Sequence, residues 1–543
     1  MLQQLRPTFR RSRALLHTRC ISSNFDAPPY KLSVSGQQSR VIFGAKVAAT
    51  QLGALCRTSG MHKVLVVRDR DATAASRTKY AEYLLMQAGM PCFQYTLERD
   101  CATLDGVDHA AAIAQRVGAD GVVSFGGGNT MDMARAVAVV LANGGRAADF
   151  MAITSDDSED DKLELQQGKL KTVPLLLVPT IVGTGAEVAK QTMLLDEDAE
   201  TKLLFAAGRD IVPEAVIIDP TLMLTVPLQL TVQGALTALG QCLESYLLGG
   251  ADDALALEGL EAVAKALAAP LKEGKLDLEG AFLREQFALG SLLSGIATNS
   301  SGPGSAQALA MSMGGISDLP HAQVATAFLP FVFDRYNELL SENEGEPFFG
   351  ELREKLENAL DRLTVASGFQ SDNVATWLRY VITRFDLPTA STLELEESLL
   401  DGLVDRAAEY QDESMEVSCS DGNGAIMEKN DLCAIIDRAV VAVAPSKESE
   451  DNRCNACCRG VNHYIRNSGY QAAQNFAKNV ESSVQAVEFE WPLKMSLKGN
   501  QANSSTSIKS ASEDVRRWTG GDVAIGNPLQ SLPAEERNLF IKW

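Results

Sequence analysis

Residues 125–132 read Phe125-Gly126-Gly127-Gly128-Asn129-Thr130-Met131-Asp132 and form a glycine-rich loop. It follows an apolar run at 121–125, typical of a buried parallel strand, and opens a helical pattern over 131–141. Three glycines let a backbone approach an anion closely, and free amide hydrogens at a helix N-terminus favour phosphate. The spacing is not GxGxxG, so the usual dinucleotide fingerprint does not apply. A plain tight turn is the alternative, but the placement between strand and helix favours phosphate binding.

Strand and helix signals alternate around this loop from about residue 30 to 222. Apolar runs at 64–67, 175–178 and 216–218 predict further strands, and 108–117 predicts a helix. Such alternation implies βαβ units with right-handed crossovers. We therefore predict an α/β nucleotide-binding domain with a mostly parallel, doubly wound sheet.

Strand signals stop at about residue 223. From there to 443, Ala, Leu and Glu repeat at helical spacing, as in 254–269 and 283–296, which predicts an all-α second domain over 223–443. Residues 444–543 are rich in Ser, Asn, Gln and Lys and show weak periodicity. They are predicted to form an appended polar tail that is loosely folded or depends on a partner.

The composition of the 543 residues excludes some classes of protein. There are 70 acidic and 49 basic residues, a net charge of −21, so nucleic-acid binding is not expected. The chain has no uninterrupted apolar run of about 18 residues or more, so no membrane span is predicted.

The N-terminal segment 1–25 has a different character. It contains no acidic residue, several Ser and Thr, and five arginines, namely Arg6, Arg10, Arg11, Arg13 and Arg19. This is typical of a mitochondrial transit peptide, with a plastid one second, and it predicts a location in the mitochondrial matrix. A disordered basic arm is the alternative.

Two further features are weaker candidates for sites. Asp69 follows the predicted strand 64–67 and is a candidate for binding a ribose hydroxyl, with a capping aspartate as the alternative. A CxxCC cluster in the tail consists of Cys454, Cys457 and Cys458. Because no second CxxC pair completes a zinc site, a surface thiol cluster or a redox-sensitive patch is favoured.

The chain resembles the iron-containing, or group III, alcohol dehydrogenases over about residues 35–443. Besides the glycine loop, the resemblance is carried by Phe43-Gly44, Val178-Pro179-Thr180-Ile181-Val182-Gly183-Thr184-Gly185-Ala186-Glu187-Val188, Pro213-Glu214-Ala215-Val216-Ile217-Ile218-Asp219-Pro220 and Leu319-Pro320-His321-Ala322. It implies the dehydroquinate synthase-like architecture, in which an α/β and a helical domain hold NAD(P) and a divalent metal between them. It also implies a dimer or larger homo-oligomer.

The resemblance implies a set of cofactor-binding residues. The pyrophosphate loop falls on Gly126, Gly127, Gly128 and Asn129, and other contacts to the cofactor fall on Thr180, Thr184 and Lys202. Asn129 stands where the family usually has Ser, and Arg135 where it usually has Lys. The choice between NAD and NADP stays open, because Asp69 favours NAD while Arg68 and Arg70 could counter it.

The metal site departs much further from the family. Its members use one Asp and three His, but the matching positions here are Thr237, Gln241, Gln307 and His321. Neutral Thr and Gln oxygens supply neither negative charge nor an imidazole nitrogen, so iron or zinc binding is not expected. No other histidine lies in the predicted helical domain.

Two functional hypotheses remain open. In the first, the protein is a metal-independent NAD(P)-dependent oxidoreductase acting on a small alcohol, aldehyde or keto acid. His321 is then the general acid, with Gln241 or Gln307 as amide donors; the family's maleylacetate reductases also tend to read Pro-His-Ala at this place. In the second, it is a catalytically inactive paralogue, a structural or nucleotide-sensing subunit of a mitochondrial assembly that docks through 444–543.

Overall fold

The computed structural model describes residues 39–441 apart from 71, 152–169, 207–210, 251, 270, 273–274, 277–280, 318, 394–399, 401 and 419–425. The described residues belong to one compact unit, Met1–Lys447. The predicted transit peptide 1–25, the tail 444–543 and the CxxCC cluster therefore lie outside the described residues.

The first half of the described chain alternates strands with helices. The elements are β1 (Arg40–Phe43), α1 (Val47–Thr58), β2 (Val64–Arg68), α2 (Ala72–Gln87), β3 (Cys92–Thr96), α3 (Leu104–Val117), β4 (Gly121–Gly126), α4 (Gly128–Asn143), β5 (Leu175–Pro179), β6 (Met193–Asp196), β7 (Thr201–Leu204) and β8 (Ala215–Ile218). Six of these strands form a parallel sheet in the order β1-β8-β5-β4-β2-β3, while β6 and β7 pair as an antiparallel hairpin.

The predicted α/β architecture with a parallel sheet is confirmed. Strands β4 and β5 are buried along their whole length, so they appear in the sequence as continuous apolar runs. No apolar run in the sequence predicts β1, β3 or the β6–β7 hairpin. β3 lies at the edge of the sheet and has only one buried residue, Tyr95, so it carries no apolar run.

Helices dominate the second half of the described chain. They are α5 (Leu228–Leu248), α6 (Asp253–Leu267), α7 (Ala281–Ser301), α8 (Ser305–Ile316), α9 (His321–Glu342), α10 (Pro347–Ser367), α11 (Val374–Arg384), α12 (Leu403–Ser418) and α13 (Lys429–Val441). The prediction of a helical region is confirmed except for one short antiparallel pair, β9 (Leu271–Lys272) and β10 (Lys275–Leu276). Residues on both sides of the predicted boundary at 222–223 share one hydrophobic core, which includes Val122, Val137, Leu236 and Phe287.

The order of the strands determines where a ligand can bind. The chain runs from β2 outward to β3 and then returns to the other side of β2 to form β4. In doubly wound sheets, ligands bind outside the carboxyl ends of the strands at such a reversal. Asp69 follows β2 here and the glycine loop follows β4, so both lie at this point. No helix among the described residues is long and apolar enough to cross a membrane.

Candidate functional site

A cleft of about 970 Å³ opens at the carboxyl ends of β2, β4 and β5. The predicted site residues that line it are Asp69, Gly127, Gly128, Asn129, Thr184, Lys202, Thr237, Gln241, Gln307 and His321. Two others, Gly126 and Thr180, lie behind the wall, where the Thr180 amide donates to the Gly126 carbonyl at 3.0 Å. The fold thus brings the predicted nucleotide loop and the four family metal positions to one cleft.

Asp69 anchors the glycine loop from the neighbouring strand. The Gly127 amide donates to both oxygens of the Asp69 carboxylate at 3.2 Å, and the Thr130 hydroxyl also donates to it. These contacts fix the point at which the chain leaves β4 and enters α4. The ribose contact predicted for Asp69 stays a prediction.

The first turn of α4 is shaped for a close-lying anion. Gly127 is its N-cap and has no side chain to satisfy the first amides, so the positive end of the helix faces the cleft. A Cβ at Gly128 would have only Ala186 Cβ at 3.5 Å and Thr184 Oγ1 at 3.9 Å as near neighbours, so space beside this backbone is open. The Asn129 side chain turns to the Asp100 carbonyl at 2.6 Å. These residues fit a nucleotide pyrophosphate.

Arg135 joins α4 to the loop after β5. Its guanidinium is buried, donates to the Ala186 carbonyl at 2.6 Å and lies 3.5 Å from Asp132. Burial raises the pKa of Asp132 to about 6, although the positive charges of Arg135 and Lys202 act in the opposite direction. Burial also raises the pKa of Glu187, which lines the cleft in the same loop, to about 7.

Lys202 brings a positive charge from β7 into the cleft. Both Lys202 and Cys101 line the cleft, and the ammonium nitrogen of Lys202 lies 2.8 Å from where a Cβ on Gly314 would stand. The lysine therefore runs closely along the backbone of α8. Its positive charge lowers the pKa of both Asp132 and His321.

The four family metal positions are occupied by side chains that pair with protein groups. The Thr237 hydroxyl donates to the Gln233 carbonyl at 2.9 Å, one turn earlier in α5. The Gln241 Oε1 accepts from the Ser294 hydroxyl at 3.3 Å. The Gln307 Oε1 lies 2.9 Å from His321 Nε2. The four side chains are thus uncharged groups in three separate hydrogen-bonded pairs, which we call the neutral cluster.

This donor set does not fit a divalent metal. It offers one imidazole, two amide groups and a hydroxyl, with no anionic ligand at any of the four positions. Among the residues that the structure describes, no group of three or more His, Cys, Asp or Glu could hold a metal ion. Asp318, the residue beside this region in the sequence, lies outside them.

His321 is a neutral group in this cleft. Burial lowers its pKa to about 3, and the nearby charge of Lys202 adds to this effect. With Nε2–H donating to Gln307, the lone pair is on Nδ1, which has no hydrogen-bond partner among the described protein groups. His321 can therefore accept a hydrogen bond at neutral pH, whereas a cationic acid is not available there.

Tyr410 also lines the cleft, although no sequence pattern predicts it there. It lies in α12 and packs against Met193, Leu204 and Met311, and burial raises its pKa to about 12. Tyr410 is far along the chain from the glycine loop and from Gln307, so no local pattern marks it. The packing of α12 against α8 brings it to the cleft.

Comparisons with known proteins agree with this geometry. Residues 38–220 match the model of iron-containing alcohol dehydrogenase, and residues 231–440 match that of the Fe-containing alcohol dehydrogenase family, C-terminal. The chain is 28% identical over 273 residues to alcohol dehydrogenase 4 of Saccharomyces cerevisiae (strain YJM789), covering 50% of this chain and 67% of the relative. It is 25% identical over 401 residues to the NAD-dependent methanol dehydrogenase of Bacillus methanolicus, covering 72% and 96%.

A solved structure shows the same fold. The archaeal halo-thermophilic Red Sea brine pool alcohol dehydrogenase superposes with a TM-score of 0.61 at 20% identity, covering 77% of this chain and 100% of that one. The two family models together span both halves of the described chain. The chain therefore belongs to the iron-containing alcohol dehydrogenase family.

Proposed function

We propose that the protein is an NAD-dependent oxidoreductase that interconverts a small alcohol with an aldehyde or keto acid without a divalent metal. One observation carries the proposal: the cleft keeps the nucleotide loop but has a neutral hydrogen-bonded cluster at the four family metal positions. The Arg-rich segment 1–25 supports a location in the mitochondrial matrix.

Nucleotide binding is proposed from the first turn of α4. Gly128 leaves room for a phosphate, the N-terminus of α4 supplies backbone amides and the positive end of the helix dipole, and Lys202 supplies a positive charge. The relative from Bacillus methanolicus is named as NAD-dependent, which supports NAD as the nucleotide. A bound nicotinamide would supply the hydride chemistry, and the chain's own residues would hold the substrate and manage its proton.

Substrate binding is proposed from the hydrogen-bond donors at the family metal positions. A carbonyl oxygen that gains negative charge without a Lewis acid needs hydrogen-bond donors aimed at it. Gln241 and Gln307 present amide groups to the cleft, and His321 holds Gln307 by its oxygen. Neutral donors in a closed site are effective because little water competes with them.

Turnover before and after chelation tests the proposal. The full chain is incubated with NADH and a panel of propanal, glyoxylate and pyruvate, with and without EDTA and 1,10-phenanthroline. We expect NADH oxidation that survives chelation. Loss of turnover that Fe²⁺ or Zn²⁺ restores would contradict metal independence. Absence of turnover with the whole panel, together with NADH binding, would instead support the inactive paralogue.

A further inference from the structure

The loop that joins β5 to β6, residues 180–192, lies against the first turn of α4. A Cβ built on Gly128 would have the Ala186 Cβ at 3.5 Å and the Thr184 hydroxyl oxygen at 3.9 Å. The Thr184 hydroxyl therefore borders the space that the proposed nucleotide phosphate needs. The position of this loop thus sets the shape of the nucleotide site.

The backbone of this loop is irregular and pairs with side chains of neighbouring helices. A turn within it joins the Val188 amide to the Gly185 carbonyl at 3.0 Å. From α4, the Arg135 guanidinium donates to the Ala186 carbonyl at 2.6 Å. Because buried backbone groups need hydrogen-bond partners, the side chains that supply them determine where an irregular loop lies.

Two buried side chains of α7 hold the loop from the opposite side. Near its start, the Ser291 hydroxyl accepts from the Gly183 amide at 3.0 Å and donates to the Gly183 carbonyl at 3.2 Å. Near its end, Asn299 Oδ1 accepts from the Lys190 amide at 2.9 Å, while Asn299 Nδ2 donates to the Val188 carbonyl at 2.8 Å. Each side chain therefore engages both an amide and a carbonyl of the loop.

The residues that hold the loop lie on one face of α7. Ser291, Gly295 and Asn299 follow each other at intervals of four residues, which places them on the same side of a helix. Gly295 lets the backbones approach, since a Cβ there would lie 2.3 Å from the Gly185 carbonyl oxygen. The hydrogen bonds of Ser291 and Asn299 flank this close approach, so the loop is fixed at both ends.

We propose that Ser291 and Asn299 are positioning residues of the nucleotide site, which hold the β5–β6 loop so that the Thr184 hydroxyl faces a phosphate at the first turn of α4. The proposal rests on the nucleotide-dependent function argued above. Without these side chains the loop can move away from the glycine turn. The turn itself stays in place, because Asp69 anchors it independently of α7.

A double-mutant cycle tests this role. Asn299→Ala removes both side-chain hydrogen bonds to the loop, and Thr184→Val removes the hydroxyl with little change in shape. We expect each variant to raise the dissociation constant of NADH, measured by fluorescence, by about tenfold, as for loss of a hydrogen bond to a charged group. The double variant should also lose about tenfold rather than about a hundredfold, because both changes remove the same contact. A purely structural role of Asn299 would not produce this dependence on Thr184.

A matched control removes a similar amide away from the cleft. Asn143 Nδ2 donates to the Val139 and Lys171 carbonyls at 2.8 Å, and Asn143 is not among the residues that line the cleft. Asn143→Ala should leave NADH affinity unchanged. Ser291→Ala should weaken NADH binding severalfold, and it replaces Asn299→Ala in the cycle if that variant does not fold.

Several results would overturn the assignment while leaving the oxidoreductase function intact. They are wild-type NADH affinity in folded Asn299→Ala, in folded Ser291→Ala or in Thr184→Val, and a loss of about a hundredfold in the double variant. A wild-type chain that binds no NADH would instead contradict the proposed function itself.

Discussion

At the scale of the residue, Glu244 shows how a buried charge organises the site. Its carboxylate accepts from the Ser305 amide at 2.6 Å and from the Ala306 amide at 3.2 Å. A residue of α5 thereby caps the first turn of α8, the helix that carries Gln307. Burial nevertheless raises the pKa of Glu244 to about 7, because two backbone amides only partly replace the lost water.

The raised pKa makes a prediction for stability against pH. The folded protein binds this proton more tightly than the unfolded chain, whose carboxyl titrates near its ordinary value of 4.5. The contribution to stability is therefore full below that value and is lost as the pH rises through about 7. Glu244→Gln keeps an acceptor for the cap and removes the charge.

We expect urea denaturation of Glu244→Gln at a series of pH values to show a smaller fall in the free energy of unfolding between about pH 5 and 8. Glu351→Gln, on an exposed position of α10, is the matched control and should follow the wild type. An unchanged slope in Glu244→Gln would contradict the account of this residue.

At the scale of the element, the turn from β4 into α4 is open where a ligand must approach. Around Gly128 the nearest side-chain atoms leave ordinary contact distances for a methyl group, so the empty protein can accept one. Once a pyrophosphate is bound, the methyl group no longer fits, because the pyrophosphate needs that space to reach the amides of the helix. Folding and binding therefore place different demands on this position.

We therefore expect Gly128→Ala to weaken nucleotide binding without affecting folding. NADH affinity, measured by fluorescence, should fall by about tenfold or more, a loss of about 1.4 kcal/mol per factor of ten. The thermal midpoint should stay at the wild-type value. Gly350→Ala, where a Cβ would have nothing within 4 Å, is the control; it should leave NADH affinity unchanged and raise the thermal midpoint slightly, because alanine is favoured over glycine inside a helix. Wild-type NADH affinity in Gly128→Ala would mean that the nucleotide does not bind at this turn.

At the scale of the whole molecule, the sheet and the helices meet through glycine backbones. A Cβ on Gly295 of α7 would lie 2.3 Å from the carbonyl oxygen of Gly185, in the loop after β5. The Gly183 amide also donates to the Ser291 hydroxyl of α7 at 3.0 Å. This close approach holds one wall of the cleft against the helical layer.

Gly295→Ala should disturb both stability and binding. Two backbones cannot rotate away from a new methyl group, so we expect a loss of about 1–3 kcal/mol in the free energy of unfolding. NADH affinity should also fall, since the displaced loop carries Thr184. Urea denaturation and NADH titration check this, with Gly350→Ala again as control. A fully stable Gly295→Ala protein would show that the two layers can separate locally without cost.

How much could be predicted from the sequence depended on whether a signal was local. The apolar runs of β2, β4 and β5 are local consequences of burial on both faces, and the glycine loop was placed correctly between strand and helix. The edge strand β3 and the β6–β7 hairpin are partly exposed and left no such pattern. Tyr410 and the anchoring role of Asp69 arise from contacts between distant segments, which no spacing reveals.

At the family metal positions, the residues could be predicted from the sequence but their hydrogen-bond partners could not. Their assignment to Thr237, Gln241, Gln307 and His321 came from the family resemblance, and the structure brings all four to one cleft. What the sequence did not reveal is how these side chains are paired, with His321 Nε2 2.9 Å from Gln307 Oε1. The replaced ligands therefore form hydrogen bonds with protein groups.

The proposal that this cleft works without a divalent metal is tested by the metal content of the full chain, purified after expression with added iron and zinc. The variant Thr237→Asp/Gln241→His/Gln307→His, which restores the family's ligand types, is the positive control. Elemental analysis should find no stoichiometric metal in the wild type and about one equivalent in the variant. One equivalent of iron or zinc in the wild-type protein would contradict the claim.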